Sequence, residues 1–157
     1  MNAAHAPEPA HRTGTARTGH LAVSIVTPEG LAFEGAARSV VVPGHDGEVA
    51  FLPQHAAYVG VLGFGELRVT PTDGPVHRWL LEGGVAEVAH DAVTVLAERV
   101  VAPEKIDAAK ARADLARAVA DVAVTDAARA ARDRAQASAR ARLRLAGGGR
   151  AGTPAAH

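Results

Sequence analysis

The sequence predicts an α+β protein, with an N-terminal antiparallel β-sandwich of roughly nine to ten short strands followed by a C-terminal hairpin of two antiparallel helices. Between Leu21 and Glu98 the apolar residues alternate or form short runs that turn sequences separate, a pattern typical of a sandwich or a barrel. From Glu104 to Ala146 the chain has neither Gly nor Pro and is rich in Ala and Arg, two strong helix formers. We therefore expect four segments: a flexible extension over 1–20, the sandwich over 21–102, a helical arm over 103–146 and a flexible tail over 147–157.

Turn sequences mark where the predicted strands end. Asp73-Gly74 lies between two prolines, which are tolerated at strand ends because they need no ladder hydrogen bond there. Gly83 and Gly84 interrupt a long β stretch, which indicates a bend or a close approach of a neighbouring backbone. Three further turn sequences complete the set: Thr27-Pro28-Glu29-Gly30, Pro43-Gly44-His45-Asp46-Gly47 and His90-Asp91.

The arm is expected to form two helices. Pro103 and Asp107 can begin the first, and Thr125 or Asp126 can cap the second after a break near residues 122–125. The apolar positions of the second helix are almost all Ala, and burial of a methyl-sized group yields about 0.8 kcal/mol, against roughly 1.5–3 kcal/mol for a leucine side chain. Two interpretations follow: an arm that can leave its partner while it remains helical, or a static hairpin with a tight alanine seam.

Charge divides the chain at the same boundary. Residues 1–102 carry six Arg and no Lys against eleven acidic residues, a net charge of −5. Residues 103–157 carry nine Arg and two Lys against six acidic residues, a net charge of +5. The predicted arm is therefore suited to an acidic partner.

Several classes of site are not expected. The chain has no Cys, which excludes disulfides and cysteine-ligated metal or redox centres. Its eight His form no HExxH pattern, and neither a nucleophile elbow nor a Gly-rich phosphate loop occurs, so no catalytic or metal site is expected. No run approaches the roughly eighteen apolar residues that a membrane span needs.

A succession of short motifs runs through the predicted sandwich. It comprises Thr27-Pro28-Glu29-Gly30, Phe33-Glu34-Gly35, Ser39-Val40-Val41-Val42-Pro43-Gly44, Asp46-Gly47-Glu48, Leu52-Pro53-Gln54-His55-Ala56, Gly65-Glu66-Leu67-Arg68-Val69, Gly83-Gly84-Val85-Ala86-Glu87-Val88 and Val93-Thr94-Val95-Leu96-Ala97. Each motif is weak by itself, but their order and spacing are specific. The succession resembles the epsilon subunits of bacterial F-type ATP synthases, which implies an N-terminal β-sandwich and a C-terminal helical hairpin.

The resemblance implies a non-catalytic rotor component of a proton-translocating ATP synthase, held peripherally at the cytoplasmic face of the cell membrane. In this family the sandwich binds the gamma subunit and rests on the ring of c subunits, and it thereby couples proton-driven rotation to the catalytic head. The loop that faces the c ring corresponds here to Gly44, Asp46, Gly47 and Glu48, with Asp46 and Glu48 as contacts of c-subunit loops. The alternative for these residues is a solvated turn that touches no partner.

The resemblance also implies two poses of the arm. It folds down on the sandwich or extends between the catalytic alpha and beta subunits, where it restrains ATP hydrolysis. An acidic segment of the beta subunits would attract an arm of this positive charge. The candidate contacts are the arginines that cluster on the second helix: Arg129, Arg132, Arg134, Arg140, Arg142 and Arg144.

The start of the first helix, Ile106-Asp107-Ala108-Ala109-Lys110-Ala111, is similar to an Ile-Asp-x-x-Arg-Ala motif that binds ATP in some members of the family. Ile106, Asp107 and Lys110 are therefore candidate ATP-sensing residues. Lys110 replaces the arginine of the motif, and a point charge thus replaces a planar fork. A helix cap is the competing role for Asp107, and no resident cofactor is expected.

A second class of function is a sandwich adaptor whose Arg-rich arm binds nucleic acid or another acidic partner. Acidic residues recur along the arm and it contains no aromatic residue to stack on bases, so nucleic acid is not the expected partner. DNA binding that is present at low salt and falls steeply as salt is added would distinguish this class.

Overall fold

A computed structural model describes residues 19–147 of the chain. Residues 1–18 and 148–157, which make up most of the two predicted flexible segments, lie outside the described residues. The described chain has a run of strands followed by two helices: β1 (Leu21–Thr27), β2 (Gly30–Pro43), β3 (Glu48–Phe51), β4 (Tyr58–Pro71), β5 (His77–Ala89), β6 (Ala92–Ala97), β7 (Val100–Val101), α1 (Ala108–Ala120) and α2 (Asp126–Ala146).

The predicted sandwich is confirmed, but its predicted count of roughly nine to ten short strands is wrong. The described residues form seven strands, because β2 and β4 have 14 residues each and β5 has 13. These long strands bend instead of ending. In each of them the residues that face the core change between odd and even numbers part-way along: Ala37 then Val40, Leu62 then Leu67, Leu81 then Ala86.

The strands form one sheet that closes on itself. Their order is β1–β6–β5–β4–β2–β3, β7 pairs with β5, and β1 also pairs with β2. All pairs are antiparallel except β1 with β6, which is parallel. The first half of β2 pairs with β1 and its second half with β3 and β4, so β2 is the strand that closes the two layers around the core.

Gly83 and Gly84 bend β5, as the sequence predicts. Their φ angles are 79° and 141°, which favour glycine, and a Cβ at Gly84 would lie 2.4 Å from the backbone oxygen of Leu96. Before the glycines, Leu81 faces the core and Leu80 faces the arm. After them, Ala86 faces the core and Val85 is exposed. The bend therefore divides the outside of the sheet into two faces.

The corner that follows β3 packs against the core. Phe51 is fully buried, and the rings of Tyr58 and His55 lie 5.1 and 5.2 Å from its ring. Gln54 adopts a φ of 69°, and its N–H donates a hydrogen bond of 2.5 Å to Oδ1 of Asp91. His55 therefore contributes to packing at this corner, with its ring nearly perpendicular to that of Phe51.

The arm is the predicted pair of helices, closed by alanines. Asp107 caps α1 and Thr125 caps α2, each accepting a hydrogen bond from a backbone N–H three residues on. Buried alanines line the seam, and Nε2 of Gln136 donates a hydrogen bond of 3.1 Å across it to the carbonyl of Ala118. The buried seam residues are Ala111, Ala118 and Ala139.

Within residues 19–147, neither helix combines the length and apolar character that crossing a bilayer requires.

Candidate interaction surfaces

The loop predicted to face a c ring is a tight turn with two exposed carboxylates. The N–H of Gly44 donates a hydrogen bond of 2.7 Å to the carbonyl of Gly47, which closes the turn. A Cβ at Gly44 would lie 2.9 Å from that carbonyl oxygen, so the turn needs glycine there. Asp46 and Glu48 are exposed, and neither forms an ion pair with the rest of the described chain. The turn thus leaves both acidic groups available to a partner.

This turn lies beside the end of α2, which the sequence did not indicate. Gly44, Gly47 and Glu48 share a cavity of about 360 Å³ with Arg144 and Leu145 of the last helical turn. About a hundred residues separate the two groups in the chain, so no local pattern could have predicted their proximity. The predicted loop and the last arginine of the arm therefore belong to one surface.

An exposed apolar patch lies on the sheet beyond the bend, and sequence reasoning missed it. Val61 of β4, Val85 of β5 and Leu96 of β6 are paired side by side, and Val59 lies two residues along β4. They are exposed by 72%, 39%, 55% and 73% respectively. We call these four residues the apolar face. The alternation of Val59 and Val61 was the available signal, but it does not say which side of a strand is buried.

Most of the six candidate arginines on α2 are exposed, and several pair with side chains of their own helix. Arg129 contacts Asp126 at 2.8 Å, and Arg132 contacts Asp133 at 3.2 Å. Such exposed ion pairs contribute little to stability, so both arginines stay available to a competing acidic surface. Arg140 donates to Gln136, and Arg134 and Arg144 form no ion pair within residues 19–147, while Arg142 pairs outside the arm.

Arg142 is the arginine of this group that contacts the sandwich. Its Nε donates a hydrogen bond of 3.0 Å to Oε1 of Glu82 in β5, and its Nη2 donates to the same oxygen. Its Nη1 lies 3.9 Å from Oδ2 of Asp114 in α1. The other oxygen of Glu82 lies 3.6 Å from Arg99. The four groups form a chain of alternating charge that joins both helices to the sheet.

The candidate ATP-sensing residues surround a cleft of about 240 Å³ between α1 and the sheet. Ile106 is half-buried against Leu80, Asp107 caps α1, and Nζ of Lys110 donates a hydrogen bond of 3.0 Å to Asp114. That hydrogen bond holds the pKa of Asp114 below its usual value; desolvation acts in the opposite direction, and the nearby positive charges add to the lowering. In this arrangement the polar groups of the motif already have partners inside the chain.

The sandwich is the part of the chain that known proteins share most clearly. Residues 20–103 match the family model described as the ATP synthase, Delta/Epsilon chain, beta-sandwich domain. The chain belongs to this family. This confirms the resemblance inferred from the motifs between residues 27 and 97. The alanine-rich helices after residue 103 lie outside the match.

Relatives with the same sandwich carry the name ATP synthase epsilon chain. One from Thioalkalivibrio sulfidiphilus is 41% identical over 91 residues, which cover 57% of this chain and 64% of that protein. One from Exiguobacterium sp. is 41% identical over 97 residues, which cover 59% of this chain and 71% of that protein. The chain thus matches about two thirds of the length of these relatives.

Two solved structures share the fold over most of the chain. One is a chain of the Euglena gracilis mitochondrial ATP synthase, OSCP/F1/c-ring in rotational state 1, with a TM-score of 0.71 and 21% identity over 87% of this chain and 86% of that one. The other is a chain of the Tetrahymena thermophila mitochondrial ATP synthase central stalk and c ring, with a TM-score of 0.64 and 16% identity over 80% and 96% of the two chains. At these identities the likeness concerns the fold, and it extends beyond the sandwich into the arm.

Proposed function

We propose that this chain is the epsilon subunit of a proton-translocating F-type ATP synthase. It is a non-catalytic part of the central stalk that couples rotation of the c ring to the catalytic head through the gamma subunit. The complex holds it peripherally at the cytoplasmic face of the cell membrane. Family membership of the sandwich supports this function, as does the likeness to chains solved within ATP synthase stalks.

The observation that carries the proposal is the apolar face. Three of its four side chains are more than half exposed, and Val61, Val85 and Leu96 pair in register across three strands. A contiguous exposed patch of this kind is costly in water unless another protein covers it. We assign the gamma subunit as the partner, because this face belongs to the domain that defines the family.

The turn from Gly44 to Glu48 is proposed as the contact with the c ring. It offers two exposed carboxylates on a tight, glycine-dependent turn, which can approach polar or basic loops without any rearrangement of the sheet. Arg144 lies beside the same turn and adds a positive group to that surface. The proposed surface therefore carries both positive and negative groups, which favours one orientation of the chain on the ring.

The arm is proposed to restrain ATP hydrolysis when it extends between the catalytic alpha and beta subunits. Its exposed arginines would then contact an acidic segment of the beta subunits. In this structure the arm lies folded on the sandwich, with only Arg142 of the six arginines engaged with the sheet. Within residues 19–147, the other five candidates form no ion pair or side-chain hydrogen bond with the sandwich and remain available to a partner: Arg129, Arg132, Arg134, Arg140 and Arg144.

The test compares the full chain with a chain that ends at Ala102, each reconstituted with the rest of the catalytic head and the c ring. We expect both chains to bind gamma and to support proton-coupled synthesis, and only the full chain to restrain ATP hydrolysis. A full chain in which the five available arginines are replaced by Gln is the matched control, and it should behave like the truncated chain. Equal ATPase activity with all three would refute the inhibitory role, and failure of both lengths to bind gamma would refute the whole assignment.

Regulatory ATP binding remains a prediction. Lys110 would have to give up its hydrogen bond to Asp114 in order to reach a phosphate group. Nucleic-acid binding by the arm has less support, because Asp114, Asp126 and Asp133 each contact a basic residue of the arm and reduce the charge available to a phosphate backbone.

A further inference from the structure

The apolar contact between arm and sandwich is small. Its buried members are Leu80 of β5 with Ala141 and Leu145 of α2, and Val101 and Ile106 pack around them. Two leucines and an alanine bury little apolar area compared with the main core of the sandwich. The arm is therefore held by a contact that a modest competing interaction can replace.

The ion pair between Arg142 and Glu82 lies at the edge of this small cluster. The side chain of Glu82 is only 11% exposed and that of Arg142 only 28% exposed. All other ion pairs of α2 involve residues of the arm itself, within the part of the chain that the structure describes. A charged pair that is this poorly solvated is directional, and removal of one member leaves the other without its nearest partner.

The same pair costs little to open when both members find water or new partners. Separation of the arm returns both Glu82 and Arg142 to solvent, which compensates most of the lost attraction. Glu82 also keeps Arg99 at 3.6 Å, so its carboxylate retains a positive neighbour after Arg142 leaves. The pair therefore specifies where the arm docks and still allows it to leave.

We propose that the Arg142–Glu82 pair is a latch that sets how often the arm leaves the sandwich. Asp114 of α1 supports it from the other helix, since its carboxylate lies 3.9 Å from Nη1 of Arg142. An acidic partner that competes for Arg142 opens the latch and receives the freed arginine. This last step rests on the inhibitory role proposed above, whereas the latch itself is a property of the isolated chain.

The latch is tested by measuring the distance between arm and sandwich in the isolated full chain. The chain has no Cys, so spin labels on Ala137→Cys and Asp73→Cys are unique, and both positions are exposed. We expect a single short distance in the parent chain. In Glu82→Gln and in Arg142→Gln the ratio of undocked to docked arm should rise about tenfold, which corresponds to the loss of one charged hydrogen-bonded contact.

Two controls distinguish loss of the latch from a general loss of stability. Arg140→Gln removes a charge two residues away whose guanidinium donates a hydrogen bond to Gln136 of the same helix, and it should leave the distance unchanged. The double variant Glu82→Gln/Arg142→Gln should undock no more than either single variant, because paired residues are not additive. The fluorescence of Trp79, the single tryptophan, reports whether the sandwich stays folded in each variant.

Retention of the parent distance in both single variants would overturn the latch. An equal loss of docking in Arg140→Gln, or effects that multiply in the double variant, would overturn it as well. ATPase activity of the reconstituted head then separates the two proposals. Glu82→Gln should strengthen inhibition, because it frees the arm and keeps every arginine; an undocked arm without any change in ATPase would refute the inhibitory role and leave the latch standing.

Discussion

The two outer faces of the bent sheet differ in their chemistry: the uncovered face is apolar, whereas the face under the arm is charged. On the apolar face, Val59, Val61, Val85 and Leu96 are exposed, and no element of the described chain covers them. The other face lies under α2, yet it carries charged side chains around Leu80. Its ion pairs join Glu66 to Arg68 and Arg78, and Glu82 to Arg99 and Arg142.

This difference separates a permanent contact from a reversible one. An apolar surface is costly to expose, so it suits a partner that stays bound throughout the life of the complex. A charged face regains its hydration when it is uncovered, which offsets most of the lost attraction, so it suits a cover that comes and goes. The chemistry of the two faces therefore supports the proposed function, in which the sandwich stays fixed to a stalk and the arm moves.

The bend that creates the two faces gives the largest expected effect. Gly84→Ala would place a Cβ 2.4 Å from the Leu96 carbonyl oxygen at a φ of 141°, and we expect a loss of about 3–4 kcal/mol in the free energy of unfolding. Urea unfolding followed by Trp79 fluorescence measures it. Gly74→Ala is the control: its φ is 93° but no atom lies within 4 Å of the new Cβ, so the loss should be about 1 kcal/mol. Equal losses in the two variants would show that close packing at the bend is unimportant.

A charge on the apolar face should nearly abolish binding to gamma. Val61→Asp places a carboxylate between Val59 and Val85 of the patch, and we expect affinity for the gamma subunit to fall about a hundredfold, as at a binding hot spot. Calorimetry with isolated gamma measures this. Leu31→Asp makes the same kind of change at a residue that is 57% exposed and lies outside the apolar face. Unchanged affinity in Val61→Asp would remove this face as the docking surface.

Loss of apolar contact on the covered face should release the arm and spare the sandwich. Leu145→Ala removes one of two buried leucines from the small cluster, and we expect docking of the arm to weaken by about 2 kcal/mol. The spin-labelled chain described above measures the docked fraction. Leu143→Ala, a half-buried leucine outside that cluster, is the matched control. If both variants undock the arm equally, the cluster around Leu80 is not what holds it.

Acid should have the smallest effect, and it acts through Asp114 of the arm. The pKa of Asp114 is lowered from its ordinary value of 3.8, so its ionised form stabilises the folded arm above that value and this contribution is lost as the pH falls through the lowered pKa. Helicity measured by circular dichroism between neutral and strongly acidic pH should fall less in Asp114→Asn than in the parent chain. Asp121→Asn, which alters an exposed carboxylate at the end of α1, should keep the parent acid dependence. An identical acid response in all three chains would contradict the assignment to Asp114.

The sequence by itself determined the local features of this protein. Alternating strands, the helix caps at Asp107 and Thr125, and the break at Gly83-Gly84 all depend on residues close in the chain, so their patterns can be read without a structure. The order of motifs also led to the right family.

Only the tertiary structure decided how these parts meet. The long strands change face part-way, which no periodicity of two can reveal, and this made the predicted number of strands too high. Arg142 meets Glu82 across 60 residues of sequence, and Arg144 lies beside the Gly44–Glu48 turn, because the arm docks where the sheet has bent. Local propensity acts over a few residues, whereas docking and the exposure of a strand face depend on what packs against them.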